Sequence, residues 1–244
     1  MSGLVLWQQG HLERATIRCT EAVQLAEKLA HPLTTALAYW GMSYLHMFRR
    51  EPDLALLWAE REIEVCDEYM LPLLRSQGVF QVGWATAQLG ELDLGIEQME
   101  QGVRAIRATG AEMGLPYFLG LLGETYSKAQ EGGKALAMIG AAIKSAEQNG
   151  ARFQLSELLR MRAHALARGR YSDSGEIERT FRTAIESARS QGALMPELRA
   201  ATSLAGYLTE TERRPEAREL LRSYGDFIRA TPGCTDIDAA AELL

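Results

Sequence analysis

Leu122-Gly123-Glu124-Thr125-Tyr126, followed by Ala135, Ile139 and Ala142, places a glycine twelve residues ahead of a small residue that opens an apolar i, i+4 stripe. Outward from Ala135, the same position recurs as Ala15, Ala55, Gly95, Ala135, Ile177 and Ala217, spaced 40, 40, 40, 42 and 40 residues apart. Four residues later stand Cys19, Ala59, Met99, Ile139, Phe181 and Leu221, and eight later Val23, Ile63, Val103, Ile143, Ile185 and Gly225. This i, i+4, i+8 recurrence is the signature of one buried helix face per repeat. Twelve before the anchor, Gly3, Ser43, Gly83, Gly123 and Ala205 supply a second small residue, which lets a preceding helix approach closely. Five before it, Gly10, Arg50, Gly90, Gln130 and Glu212 sit in short polar stretches where one helix ends and the next begins. Each unit is therefore expected to be a helix hairpin, and the chain a stack of about six such pairs.

The segment around Leu122-Gly123 and Tyr126, with Ala135, Ile139 and Ala142, resembles the tetratricopeptide repeat (TPR), whose pattern runs large residue, Leu-Gly, Tyr, Ala, an aromatic or aliphatic residue, Ala and Pro. Gly83, Gly90 and Gly102 in the third repeat, and Gly10, Ala15, Ala22 and Pro32 in the first, fit more loosely, and the fifth departs by two extra residues around Arg170-Tyr171-Ser172-Asp173. The resemblance implies an all-α, right-handed α-solenoid with a period near 40 rather than the usual ~34, hence longer helices. It implies one continuous domain over 1-244: a truncated first repeat 1-32, further repeats 33-72, 73-116, 117-153, 154-196 and 197-232, and a capping helix 233-244. If Ala15 marks the second helix of its pair, a full first helix would begin ahead of Met1, so Leu4, Leu6 and Trp7 are expected to lie uncovered and to support self-association as a homodimer. Thr235-Asp236 is expected to cap the last helix, whose Ile237, Ala240, Ala241 and Leu244 form an apolar face for Tyr224 and Phe227.

Phe48-Arg49-Arg50-Glu51-Pro52, Gly110 to Phe118 and Glu197 to Ala205 are similar to the C-terminal repeat region of bacterial multidomain regulators, in which a nucleotide cyclase or DNA-binding domain precedes an ATPase module and then such repeats. That resemblance implies a sensing or docking arm, with no enzyme activity or cofactor of its own.

Composition narrows the alternatives. Among 244 residues, 47% are hydrophobic and 24% charged, and no apolar run approaches the ~18 residues of a membrane span. No basic region, apolar stretch and cleavage site open the chain. Cys19, Cys66 and Cys234 are too scattered for a disulfide framework, which fits a reducing cytoplasm. A net charge of −6 argues against nucleic-acid binding, and Arg213-Arg214 with Arg218 and Arg222 reads as solvated helix surface. His11, His31, His46 and His164 form no ligand-spaced pair with each other or with a cysteine. Glu131-Gly132-Gly133-Lys134-Ala135 lacks the Ser or Thr of a phosphate loop and reads as the turn of repeat four. Glu60 with Glu64, and Glu124 with Glu157, read as solvated surface rather than acid–base pairs.

In TPR arrays the first helix of each pair lines the concave side. By that register the candidate groove residues are Trp40 and Tyr44, Phe80 and Trp84, Tyr117 and Glu124, Glu157, Arg160 and His164, then Arg199. One half is aromatic, offering contact area at low entropic cost, and the other charged, able to fix a peptide's direction. Two readings of the aromatics stand open: contact surface, or core rings buried between repeats by a rotated register. Trp40, Gly41, Tyr44, Phe80 and Gln81 occupy positions where chaperone-binding relatives carry a Lys and Asn clamp, which disfavours a chaperone-tail adaptor. The expected function is a protein-interaction module that holds a peptide or protein in its groove. The alternative is a small-molecule sensor controlling an attached cyclase, ATPase or transcription regulator.

Overall fold

Ten chain reversals in this protein share one backbone device, a residue with positive φ at the end of a helix. Five of them, Gly10, Arg50, Gly90, Gln130 and Glu212, are the polar-stretch positions singled out above, with φ of 86°, 58°, 110°, 62° and 64°. At each, the positive-φ residue donates its N–H three residues back and the next residue donates five back, as Arg50 to Met47 and Glu51 to His46 do. This satisfies carbonyls the helix end would leave bare. A second set, Ala30, Met70, Gly110, Gly150 and Gly192, marks the reversals between hairpins at nearly the same period.

The computed structural model describes residues 2–112, 114–150, 152–169, 173–231 and 233–244. It is an all-α array of TPR-like helix hairpins: α1 Ser2–Gln8, α2 Leu12–Leu29, α3 Pro32–Arg49, α4 Pro52–Glu68, α5 Pro72–Gln88, α6 Leu92–Ala108, α7 Leu115–Lys128, α8 Gly132–Gln148, α9 Leu155–Arg168, α10 Ser174–Ser190, α11 Leu194–Glu210, α12 Arg214–Arg222, α13 Gly225–Ala230 and α14 Thr235–Ala241. Proline opens α3, α4 and α5, where its missing N–H costs no intrahelical bond. Two compact units form, Met1–Ala142 and Ile143–Leu244, so α8 begins in one and ends in the other. Arg170, Tyr171 and Ser172, the heart of the departure in repeat five, lie outside the described residues.

Within each hairpin the two small-residue series meet. A Cβ on Gly83 would stand 2.8 Å from the Gly95 carbonyl oxygen and 2.6 Å from the Met99 nitrogen, and one on Gly123 would stand 3.0 Å from the Ala135 oxygen. Where serine replaces glycine, its hydroxyl reaches the same carbonyl, Ser43 donating to Ala55 at 2.9 Å. The anchors Ala15, Ala55 and Ala135 and the following Ala59, Met99, Ile139 and Leu221 are fully buried. Gly83→Ala is expected to force the α5–α6 backbones apart, costing on the order of 1–3 kcal/mol. Thermal denaturation checks it, with Gly41→Ala as control, since a Cβ there meets nothing within 4 Å.

Two local readings need correction. Gly132 and Gly133 belong to the first turn of α8, so the turn itself is Gln130-Glu131. The N-cap position of α14 is Cys234, with no side-chain cap bond; Asp236 is instead 6% exposed and turned onto Arg199. A guanidinium is a stronger partner for a carboxylate than a backbone amide.

Candidate functional site

The first helices of the pairs in the first unit are α1, α3, α5 and α7, and the predicted aromatic contacts of the last three turn toward one another. Trp40 and Tyr44 lie ring to ring at 5.0 Å, and Tyr44 meets Tyr117 at 5.6 Å and Phe118 at 6.1 Å. Phe80 packs on Phe118 at 4.5 Å, while Phe48 bridges Tyr117 and Trp7. Tyr44, Phe80, Trp84 and Tyr117 are all buried, and Trp40 is half-buried against Ala36, Cys66 and Leu74. Of the two readings of these rings, burial between repeats describes their placement. Large rings exclude more water against one another than in an open trough. Burial, and then the nearby Tyr117, raises the Tyr44 hydroxyl pKa well above its ordinary 10.0.

What α3 leaves exposed is a different stripe. Leu33 and Leu37 are 45% and 47% exposed, and Gly41, the next residue on that face, has open space where a side chain would stand. The ring cluster draws Trp40 and Tyr44 to the adjacent face. Glu124 on α7 is half-buried. Trp7 does not lie uncovered: it is buried and stacked over Phe48 at 4.8 Å. Leu4 and Leu6 are half-buried, and Val5 between them is exposed.

A buried carboxyl escaped the reading of the sequence. Glu62 on α4 is fully buried, and neither carboxyl oxygen has a hydrogen-bond partner. It stands seven residues after Ala55, the position filled by Gly102, Ala142 and Ala184 after their own anchors. Its bulk fits because Gly78 lies opposite: a Cβ there would be 3.4 Å from the Glu62 carboxyl carbon. Burial pushes the Glu62 pKa well above the ordinary 4.5, so the fold holds it uncharged. Burial, above all, lifts the Cys66 thiol to about 12, which makes it a poor nucleophile. Gln81, on α5, is also fully buried with an unpartnered amide, and so is the Trp40 indole nitrogen.

In the second unit the predicted charged residues do come together. Arg160 meets Glu157 across one helical turn of α9 at 3.3 Å, and Arg199 of α11 reaches the same carboxylate oxygen at 3.3 Å. The Arg199 guanidinium also forks onto Asp236 of α14, its Nε 3.0 Å from Oδ1 and its terminal nitrogen on Oδ2. All four side chains are under 10% exposed. Among the described contacts, two guanidiniums face two carboxylates, and that pairing makes burial tolerable. His164 is half-buried, its Nε2 2.9 Å from the Ser203 hydroxyl and its ring edge-on to Phe181. Asp236 lies 37 residues beyond Arg199, close to the repeat period, and that spacing was the available signal for it. Among the described residues, no group of three metal-ligating side chains occurs and no helix is long and apolar enough to cross a membrane.

No family model matches the chain. It is 25% identical over 202 residues to an uncharacterized protein of Rhizobium meliloti, covering 82% of this chain and spanning about a fifth, 19%, of that relative's length. Three solved structures share the fold. A Rap protein complexed with competence and sporulation factor superposes with a TM-score of 0.69 at 12% identity, over 99% of this chain and 71% of its own. The apo form of RapI gives 0.58 at 14% identity, over 99% and 92%. TPR-like repeats of a Podospora anserina kinesin light chain give 0.51 at 13%, over 83% and 99%. With the period, the paired small residues and the recurrent positive-φ turns, these likenesses establish that the chain has the fold of a TPR-like helical-repeat array.

Proposed function

We propose that this chain is a non-catalytic interaction module that holds a peptide or protein segment along the first-helix face of its first unit, as the regulatory or sensing arm of a bacterial, cytoplasmic signalling protein. The observation that carries this reading is the stripe Leu33, Leu37 and Gly41: two leucines nearly half exposed on one helix face, continued by open space at a glycine. A monomeric fold gains nothing from leaving such a stripe in water, whereas a docked apolar segment buries it. The solved Rap complex with competence and sporulation factor supports a bound partner as the use of such a fold. Selection of a random decapeptide library on the chain, counter-selected on a Leu33→Glu/Leu37→Glu variant, tests it. Apolar sequences enriched on the wild type and lost on the variant, whose melting temperature is unchanged, are expected. Equal enrichment on both, or none, would sink the reading.

A second reading, a small-molecule sensor, draws support from the enclosed polar atoms of Glu62, Gln81 and Trp40. A thermal-shift panel of nucleotides and sugars separates the two, since a ligand paired with those atoms stabilises by mass action. Pairing of two copies through α1 would rest on Leu4, Leu6 and Val5, with Trp7 turned inward onto Phe48. Light scattering across a dilution series checks it, a persistent monomer speaking against it.

A further inference from the structure

The short helix α14 packs on α11 and α13: Ile237 and Ala240 are buried with Cys234 ahead of them, and Asp236 bonds to Arg199 of α11. Its seven residues have no side-chain cap, and Gly233 just before it has a φ of 83°. Among the described contacts, the hold on Arg199 is uneven. Asp236 accepts two bonds from the guanidinium fork, whereas Glu157 accepts one long bond at 3.3 Å through Oε2, the oxygen that also serves Arg160. Glu157 Oε1 is buried without a hydrogen-bond partner. An unpartnered carboxylate oxygen beside a guanidinium held elsewhere is a second seat for that guanidinium. If Asp236 leaves, Arg199 can close onto both oxygens of Glu157, and neither buried charge is stranded. That lowers the cost of undocking α14 well below that of breaking an isolated buried pair.

We propose that α14 is a releasable latch, in which Asp236 stands in for the acidic first turn of a partner helix and Glu157 takes over Arg199 when the latch opens. The proposal rests on the reading of this chain as an interaction module and extends it to a second docking place, in the second unit. The chemistry of the occupant follows from the stand-in: a helix with Asp in its first turn, an aliphatic residue next to it and a small one three residues on, as in Asp236, Ile237 and Ala240. An acid there also suits the positive end of the helix dipole, so the partner helix is itself stabilised by the residue that recognises Arg199.

The probe is a fluorescein-labelled synthetic peptide with the sequence of residues 233–244, titrated against the full chain and read by anisotropy. The tethered copy competes at high effective concentration, so the wild-type chain is expected to bind the peptide weakly. An Asp236→Asn chain, whose own latch lacks the charge, is expected to bind it at least tenfold more tightly, and a peptide carrying the same Asp→Asn change is expected not to bind. Equal affinity of both chains for the peptide, or no binding to either, overturns the latch. Hydrogen exchange on the wild type guards against a variant that misfolds: α14 amides are expected to exchange through an opening that leaves α11 protected, and exchange of both at one common rate also overturns it. Failure here with the library selection intact removes the latch alone, because Leu33 and Leu37 belong to the first unit.

Discussion

Glu62→Gln raises the melting temperature at pH 8 and leaves it nearly unchanged at pH 4.5. The sign follows from the direction of the Glu62 pKa. In the fold, burial holds the carboxyl protonated, whereas the unfolded chain ionises it near the ordinary 4.5. Stability from the neutral form is therefore fully present below pH 4.5 and is lost as pH rises toward the folded value, at about 1.4 kcal/mol per unit. Gln has the same shape, needs no proton and does not titrate. The difference between wild type and variant grows with pH until the folded-state pKa is passed, then levels. The difference is the quantity to follow, because Glu178, whose pKa is lowered by Arg213 and then Arg182, gives both chains an opposite trend in acid. Thermal melts of both chains from pH 4.5 to 8.5 make the comparison, and parallel curves would mean that Glu62 is ionised in the fold. Each chain needs its own reversibility check, since a repeat array melts in stages when its units differ in stability.

Arg199→Ala is expected to produce the larger loss, on the order of 3–5 kcal/mol, as for other buried pairs deprived of one partner. It takes the fork from Asp236 and one of two guanidiniums from Glu157. For a chain of this size that is roughly 2–4 °C of melting temperature per kcal/mol. Asp236→Asn should cost much less, because Glu157 can take the guanidinium in its place. Arg222→Ala supplies the control: its pair with Glu219 is 74% and 66% exposed, and solvent screens it. Equal losses from Arg199→Ala and Asp236→Asn would mean that Arg199 has no second seat on Glu157.

How legible each part was depended on whether it repeats. Five hairpin turns were marked by short polar stretches, with glycine at Gly10 and Gly90, and Arg50, Gln130 and Glu212 take positive φ without being glycine, because the geometry of a tight reversal recurs regardless of the side chain. Likewise the small-residue pairs, Gly83 with Gly95 and Gly123 with Ala135, marked the close helix approach in the sequence itself. The candidate site was half legible. Glu157, Arg160 and Arg199 were chosen as inner-face residues and do converge, yet as partners of one another and of Asp236. Glu62 was visible as a large acid at a position filled elsewhere by Gly102 and Ala142, but nothing in the linear chain said that Gly78 would make room for it.

The sequence by itself determined the all-α repeat architecture, the period near 40 and the buried stripe of each second helix, since these follow from local spacing and from each hairpin's contact with its neighbour. Only the tertiary structure decided where the aromatic rings point. Tyr44 and Tyr117 are 73 residues apart in sequence, and their contact depends on how successive hairpins bring α3 and α7 together. That packing turns a predicted contact surface into an interior and leaves Leu33 and Leu37 exposed beside the open space at Gly41. Periodicity sets which residues share a face, whereas the direction of that face is set by packing between helices that no local pattern describes.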